Sequence, residues 1–147
     1  MVTKSQLKQI IQLKQKKQRL AQGLFVAEGE KTVEEFLAAS WPFRNLFTLE
    51  DYFHPKGTQI TITEMNQITH FKNPSPILGV FEIPKVKRIK ESPITIAVDG
   101  VADPGNLGNI IRLCDWYGVN HLICSSSTVD CFNSKTVQAS MGSLVRV

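Results

Sequence analysis

The stretch Val98-Asp99-Gly100-Val101-Ala102-Asp103-Pro104-Gly105-Asn106-Leu107-Gly108-Asn109-Ile110-Ile111-Arg112 decides the fold. It is entered from Ile94 to Val98, a continuous apolar run of the kind buried on both faces of a parallel sheet. It leads into a predicted helix over Asn109 to Tyr117, with Gly118 just beyond its end. Open α/β sheets bind ligands at the carboxyl ends of their strands, so the loop between strand and helix is a candidate site. Gly105 and Gly108 let backbone or ligand approach closely, Asn106 offers a donor and an acceptor, and the helix start offers free amides. Arg112, four residues after Gly108, is expected on the same helix face, over the gap that the missing side chain leaves. The same residues also fit a tight strand-to-helix turn in which Asp103 and Asn106 are caps and Arg112 makes a surface ion pair.

Two familiar motifs fail here. Gly105 to Gly108 spells G-x-x-G, which clamps nucleotides in KH domains, but there it joins two helices and here a strand precedes it. A dinucleotide fingerprint needs G-x-G-x-x-G, and the two glycines have the wrong spacing.

Downstream, His121 to Cys124 is the next predicted strand, Asn133 to Ser140 a helix, and Ser143 to Val147 the start of a third strand. That is too little for a stable doubly wound sheet, so residues 94–147 are expected to be part of a larger domain. Upstream, Leu7, Ile10, Ile11 and Leu20 form one apolar stripe, Thr3 and Gln6 a capping box, and Gly23 a stop, which predicts one helix from about 4 to 22 with its lysines turned outward. Phe25 to Ala27 is a short apolar run. A second helix opens at Glu28 and closes near Ser40, before Trp41-Pro42. Asn45 to Leu49, Gln59 to Thr63 and Ile77 to Ile83 read as strands, with a short helix over Glu64 to Thr69. The fold class is α/β, with an N-terminal domain over 1–84, a basic linker over 85–93 and a second domain over 94–147.

Charge is unevenly distributed. Lys4, Lys8, Lys14, Lys16, Lys17 and Arg19 give the first twenty residues six positive charges and no acid, and Lys85, Lys87, Arg88 and Lys90 make a second cluster. The intervening residues 21–84 carry a net charge of −4 and the residues after 90 a net charge of −2. Two basic clusters on a mildly acidic body suit contact with a polyanion, because phosphate neutralisation supplies most non-specific nucleic-acid affinity. They equally suit a solvated helix face and a soluble linker. With 42% hydrophobic and 20% charged residues, the 147-residue chain has the composition of a globular protein, and collagen-like or fully disordered readings are excluded. No apolar run approaches the ~20 residues that span a bilayer, and the Lys- and Gln-rich start lacks a secretory pattern, so a cytoplasmic location is expected. Cys114, Cys124 and Cys131 form no Cys-x-x-Cys pair, and His54, His70 and His121 are scattered, so neither disulfides nor a metal site is expected.

Asp103-Pro104, Asn106, Gly108, Arg112 and the run Ala139-Ser140-Met141-Gly142 together resemble the first part of the catalytic domain of SpoU-type (TrmH-like) RNA ribose methyltransferases of the SPOUT superfamily. Phe25 to Lys31 and Ser75 to Val80 resemble the substrate-binding domain that precedes it. The resemblance implies 2′-O-methylation of ribosomal or transfer RNA from S-adenosylmethionine by a homodimer that pairs through a knotted α/β catalytic domain. In that family the donor is held by a later Gly-x-Glu-Gly loop and a Ser-Leu-Asn stretch. The resemblance therefore puts the cofactor-binding residues beyond Val147, and the 147-residue chain is expected to be inactive by itself. A non-catalytic RNA-binding protein with the same fold is the competing class.

The resemblance assigns Arg112 to RNA positioning and proton removal, with Asn106 beside it. An arginine stays protonated at neutral pH, so binding the target phosphate and stabilising the developing alkoxide suit it better, and the proton acceptor stays open. Gly108 is expected to let RNA or a second subunit come close to Arg112. Lys4, Lys8, Lys14, Lys16, Lys17, Arg19, Lys85, Lys87 and Arg88 are the candidate RNA contacts. Asp99, Asp103 and Asp115 are read as strand-end, cap and surface positions.

Overall fold

The N-terminal basic stretch folds as two helices, where the apolar stripe predicts one. The computed structural model describes residues 1–85 and 93–147, and α1 spans Lys4–Gln12 and α2 Lys16–Gln22. Thr3 caps α1 as expected: its hydroxyl accepts from the Gln6 amide, and the Gln6 side chain accepts from the Thr3 amide. Gly23 ends α2 in the left-handed region at φ 63°. The break between them has a physical cause. Leu13 is fully buried, and the Arg19 guanidinium donates at 2.9 Å to the carbonyls of both Leu13 and Lys14, satisfying carbonyls that the end of α1 leaves open and so favouring the break there. Ile11 and Leu20, expected to face inward, are exposed.

Strand β1 covers Leu24–Glu28, α3 Glu30–Ala38, β2 Phe43–Leu49, β3 Thr58–Ile60, α4 Ile62–Ile68 and β4 Ile77–Glu82. Glu28, read as the start of a helix, instead ends β1 and is buried. The four strands form one sheet in the order β1-β4-β2-β3, antiparallel except for the β2–β3 pair. Alternation then sorts the core onto two faces. Leu24, Val26, Phe47, Leu78 and Val80 meet Ile10 and Leu13 of the helical N-terminus and Met65 and Ile68 of α4. Phe25, Ala27, Leu46 and Phe81 meet Val33 and Phe36 of α3 on the other face.

The second half adds β5 (Ile96–Val98), α5 (Pro104–Trp116), β6 (Leu122–Cys124), α6 (Ser134–Ser140) and a 3-10 turn over Ser143–Val145. β5 and β6 pair in parallel, Ile96 opposite Leu122 and Val98 opposite Cys124. Three expectations change. Ile94 and Ile96 are exposed, so the first strand is not covered on both faces among the described residues. Ser143 to Val147 opens as a 3-10 turn in place of a strand, and α5 starts at Pro104 instead of Asn109. No helix among the described residues is long and apolar enough to cross a membrane.

The two halves share one core. Leu107 and Ile111 of α5, Val137 of α6 and Leu144 belong to the same buried cluster as Phe25, Val33, Phe36 and Phe81. Phe132 brings its ring within 4.9 Å of Phe25, completing an aromatic group that also holds Phe36 at 5.4 Å and Phe81 at 5.9 Å from Phe25.

Polar pairs lock this seam. Arg19 is 2% exposed, and its Nε and Nη2 donate to Asp130 Oδ2 at 2.8 and 2.7 Å. His70 Nε2 lies 2.9 Å from the Ile10 carbonyl, which can only accept, so that nitrogen carries the proton and Nδ1 accepts from the Ser134 hydroxyl. Burial favours this neutral ring and holds the His70 pKa down, to about 4. Glu28 accepts from Thr69 Oγ1 and the His70 amide, both at 2.6 Å, while burial pushes its carboxyl above the usual range.

Arg19, a candidate RNA contact by sequence, is thus a structural residue. Arg19→Gln should lower stability by about 3–5 kcal/mol in urea unfolding, because it leaves Asp130 without its partner. Lys14→Gln, Lys16→Gln and Lys17→Gln together should change it by less than about 1 kcal/mol, and equal effects from the two variants would contradict this assignment. His70 makes stability acid-sensitive. Its folded pKa lies below the unfolded value near 6.5, so its contribution is complete above that pH and is lost as pH falls through about 4. The difference is up to about 3 kcal/mol. His70→Gln, which keeps one donor and one acceptor, should flatten the stability profile between these limits, and parallel profiles would argue against the buried neutral ring.

Candidate active site

The site is built where β5 hands over to α5. Asp103 caps the helix, its Oδ1 accepting from the Asn106 amide at 2.8 Å, and Pro104 supplies a preset φ at the first helical position. The supposed loop residues Pro104 to Gly108 therefore form the first turn of α5. The segment before it is fastened to the one after β6. The Gly100 amide donates to Ser125 Oγ at 3.2 Å, the Val129 amide to the Val101 carbonyl at 2.8 Å, and the Ser127 hydroxyl to Asp99 at 3.2 Å. Hydrogen bonds from Ser125 and Ser127 hold the Asp99 carboxyl below its usual range.

Arg112 projects from α5 into solvent and makes no ion pair among the described residues. It borders an open groove of about 850 Å³ with Lys31 of α3, Asn109, Trp116, Met141 and Arg146. Asn106 is also exposed, but it lines a neighbouring depression of about 630 Å³ with Gly100, Asp103 and Ile110. Asn109 and Leu113 border both, so the structure joins the two predicted residues through a helix ridge instead of placing them in one pocket. Asn109 escaped the sequence reading, although its spacing of three from both Asn106 and Arg112 puts it between them on a helix.

Gly108 has a different role from the one expected. It is buried, and a Cβ there would lie 2.4 Å from Ala139 Cβ and 2.9 Å from the Ser140 amide nitrogen. The gap left by its missing side chain is filled by α6 of the same chain, not kept open for RNA or another subunit. Within the Ala139-Ser140-Met141-Gly142 run, Ala139 and Ser140 are the residues that the bare Gly108 backbone lets α6 press against α5.

Arg146 was also missed. Its Nε and Nη2 hold the two Asp115 carboxylate oxygens at 2.8 Å each, and its Nη1 reaches Glu35 Oε2 at 2.7 Å. This pairing lowers the Asp115 pKa and raises that of Arg146. Gly142, at φ 87°, lets Glu35 pass where a Cβ would sit 2.5 Å from its Cγ. The bracket ties α3 to α5 one turn beyond Arg112.

Of the candidate RNA contacts, Lys4, Lys8, Lys14, Lys16 and Lys17 are exposed on or beside α1 and α2, and Lys85 is exposed after β4. Lys87 and Arg88 lie outside the described residues. Among the described residues, no three His, Cys, Asp or Glu side chains gather as a metal site.

A parallel β-α-β unit, with Arg112 exposed on its helix, thus packs against a separate four-stranded sheet, and this is an architecture that solved RNA methyltransferases share. Residues 4–79 match the model of the MRM3-like substrate binding domain, so the chain belongs to that family, and residues 93–147 match the model of the SpoU rRNA Methylase family. It is 29% identical over 135 residues to the 23S rRNA (guanosine(2553)-2′-O)-methyltransferase RlmP of Bacillus subtilis, covering 87% of this chain and 54% of the relative. It is 25% identical to human mitochondrial rRNA methyltransferase 3, covering 88% of this chain and 35% of that protein. The chain thus spans about a third to a half of the length of these relatives. Its fold superposes with a TM-score of 0.89 on a TrmH-family protein from Porphyromonas gingivalis, at 32% identity, over the whole chain and 61% of that structure. An AdoMet-bound rRNA methyltransferase from Sinorhizobium meliloti superposes at 0.80 with 31% identity, again over the whole chain and 61% of its own.

Gly108→Ala should force α5 and α6 apart and cost about 1–3 kcal/mol in thermal or urea unfolding. Unchanged stability would mean that the helices do not pack this closely.

Proposed function

We propose that the intact protein methylates a ribose 2′-hydroxyl of ribosomal RNA, using S-adenosylmethionine. The observation that carries this reading is the unpaired Arg112 guanidinium, held at the junction of the two halves on the helix that leaves β5. The names of the bacterial relative and of the AdoMet-bound neighbour support the reaction class and the donor.

The described residues do not themselves fit the donor. The grooves beside α5 are open rather than enclosed, and both acids lining the larger one, Glu35 and Asp115, are taken by Arg146, which leaves Lys31 and Arg112 facing it and no unpaired carboxylate for a sulfonium cation. We derive no step through it. What these residues supply is the RNA side of the reaction. Arg112 presents a planar fork that can hold a phosphate oxygen next to the target ribose and stabilise negative charge as the 2′-oxygen becomes an alkoxide. Its helix is held rigidly by the packing of Gly108 on Ala139 and by the Arg146 bracket. Asn106 and Asn109 flank it as uncharged hydrogen-bonding groups, and the exposed lysines of α1 and α2 would bind RNA by shape through its phosphates.

The reading places the enzyme in the cytoplasm, in the processing of ribosomal RNA, as a homodimer through the catalytic half. Leu113, Trp116, Tyr117 and Met141 support the dimer: all are exposed, with Trp116 at 83%, and Leu113, Trp116 and Met141 border the same groove, an apolar grouping of the kind that a partner covers. In the intact enzyme, Arg112→Ala should reduce methyl incorporation into ribosomal RNA by about 100- to 1000-fold without loss of folding. Arg112→Lys should recover little, because an ammonium lacks the bidentate fork. Near-normal turnover in the lysine variant would show that charge alone suffices.

A further inference from the structure

Around His70 three segments meet that are far apart in sequence: the end of α1, the turn after α4 and the start of α6. His70 bonds to the Ile10 carbonyl and to Ser134, and Arg19 bonds to the Leu13 and Lys14 carbonyls and to Asp130. Each segment carries a lysine at this junction. Lys14 is itself one of the residues whose carbonyl Arg19 takes, Lys72 stands two residues after His70, and Lys135 directly follows Ser134. All three are exposed, and none forms an ion pair among the described residues.

Two acids at this junction are already engaged. Asp130 is neutralised by Arg19, and Glu28 is buried beneath the junction, accepting from Thr69 and the His70 amide. The Lys14 charge acts on both Glu28 and His70, consistent with its place at this junction. With Asp130 and Glu28 engaged, the seam exposes the charges of Lys14, Lys72 and Lys135 without an ion pair to any of them among the described residues.

We infer that the RNA-contacting surface crosses the seam between the two halves, with Lys72 and Lys135 joining Lys14 in holding the phosphates of one RNA. This rests on the RNA-directed function proposed above. It extends the contact surface to α6 of the catalytic half, so that a single RNA touches both halves while their relative position is fixed by the shared core. Neither lysine belongs to a basic cluster in the sequence.

The test is the affinity of the full-length protein for an RNA hairpin with a ~16-base-pair stem, measured against salt concentration. Each phosphate contact contributes about 0.9 to the log–log slope, so Lys72→Gln with Lys135→Gln should flatten it by nearly two units while leaving thermal stability unchanged. An unchanged slope in the double variant, with the parent strongly salt-dependent, would overturn the seam surface and leave the RNA reading intact. A parent protein with no salt-dependent RNA affinity would overturn both.

Discussion

The burial of one guanidinium governs how the molecule is put together. Arg19 cannot be removed from water unless its charge is met, and Asp130, which meets it, comes from the other half of the chain. The same side chain takes two carbonyls at the break between α1 and α2, so it sets the N-terminal helices and the docking of the second half at once. Such a pair adds little net stability over apolar packing of equal volume, but it punishes any other arrangement. Its contribution is to register, and the aromatic cluster around Phe25 and Phe132 supplies the adhesion.

A rigid seam has consequences for the site. Arg112 stands on α5, which is pressed against α6 through Gly108 and tied to α3 of the first half through Arg146, Asp115 and Glu35. The candidate arginine therefore does not sit on a catalytic half swinging from a linker. Its position relative to the N-terminal half is set by packing. The exposed apolar residues Leu113 and Trp116 lie on the same helix, so a partner covering them would also close one side of the Arg112 groove.

Charge follows the same logic. Basic residues near each other in sequence do not share one role: Arg19 is buried structure, whereas its neighbours Lys16 and Lys17 stay in water. Conversely, Lys72 and Lys135 are isolated in sequence and become part of a basic surface only when the seam forms. Electrostatic footprints belong to the folded surface, because a charge acts through space over several ångströms whatever its position along the chain.

Local chemistry was enough to read much of this protein from its residues. The α/β class, the Thr3–Gln6 cap, the strands around Leu46 and Leu78 and the Asp103 cap all rest on interactions within a few residues or on period-2 and period-3.6 patterns. The fate of Arg19, the break at Leu13, the contact at Gly108, the Arg146 bracket and the grouping of Lys14, Lys72 and Lys135 were not legible, because each depends on partners separated by long stretches of chain. The carboxylate of Asp130, 111 residues from Arg19, is what turns a surface cation into a core residue, and no pattern along the chain encodes that distance. Sequence alone determined most of the helices and strands and the family they resemble, but not the break at Leu13, the strand end at Glu28 or the 3-10 turn over Ser143–Val145. Tertiary structure decided which charges are buried, which stay in water, and where Arg112 stands, because desolvation and close packing act only once distant segments meet.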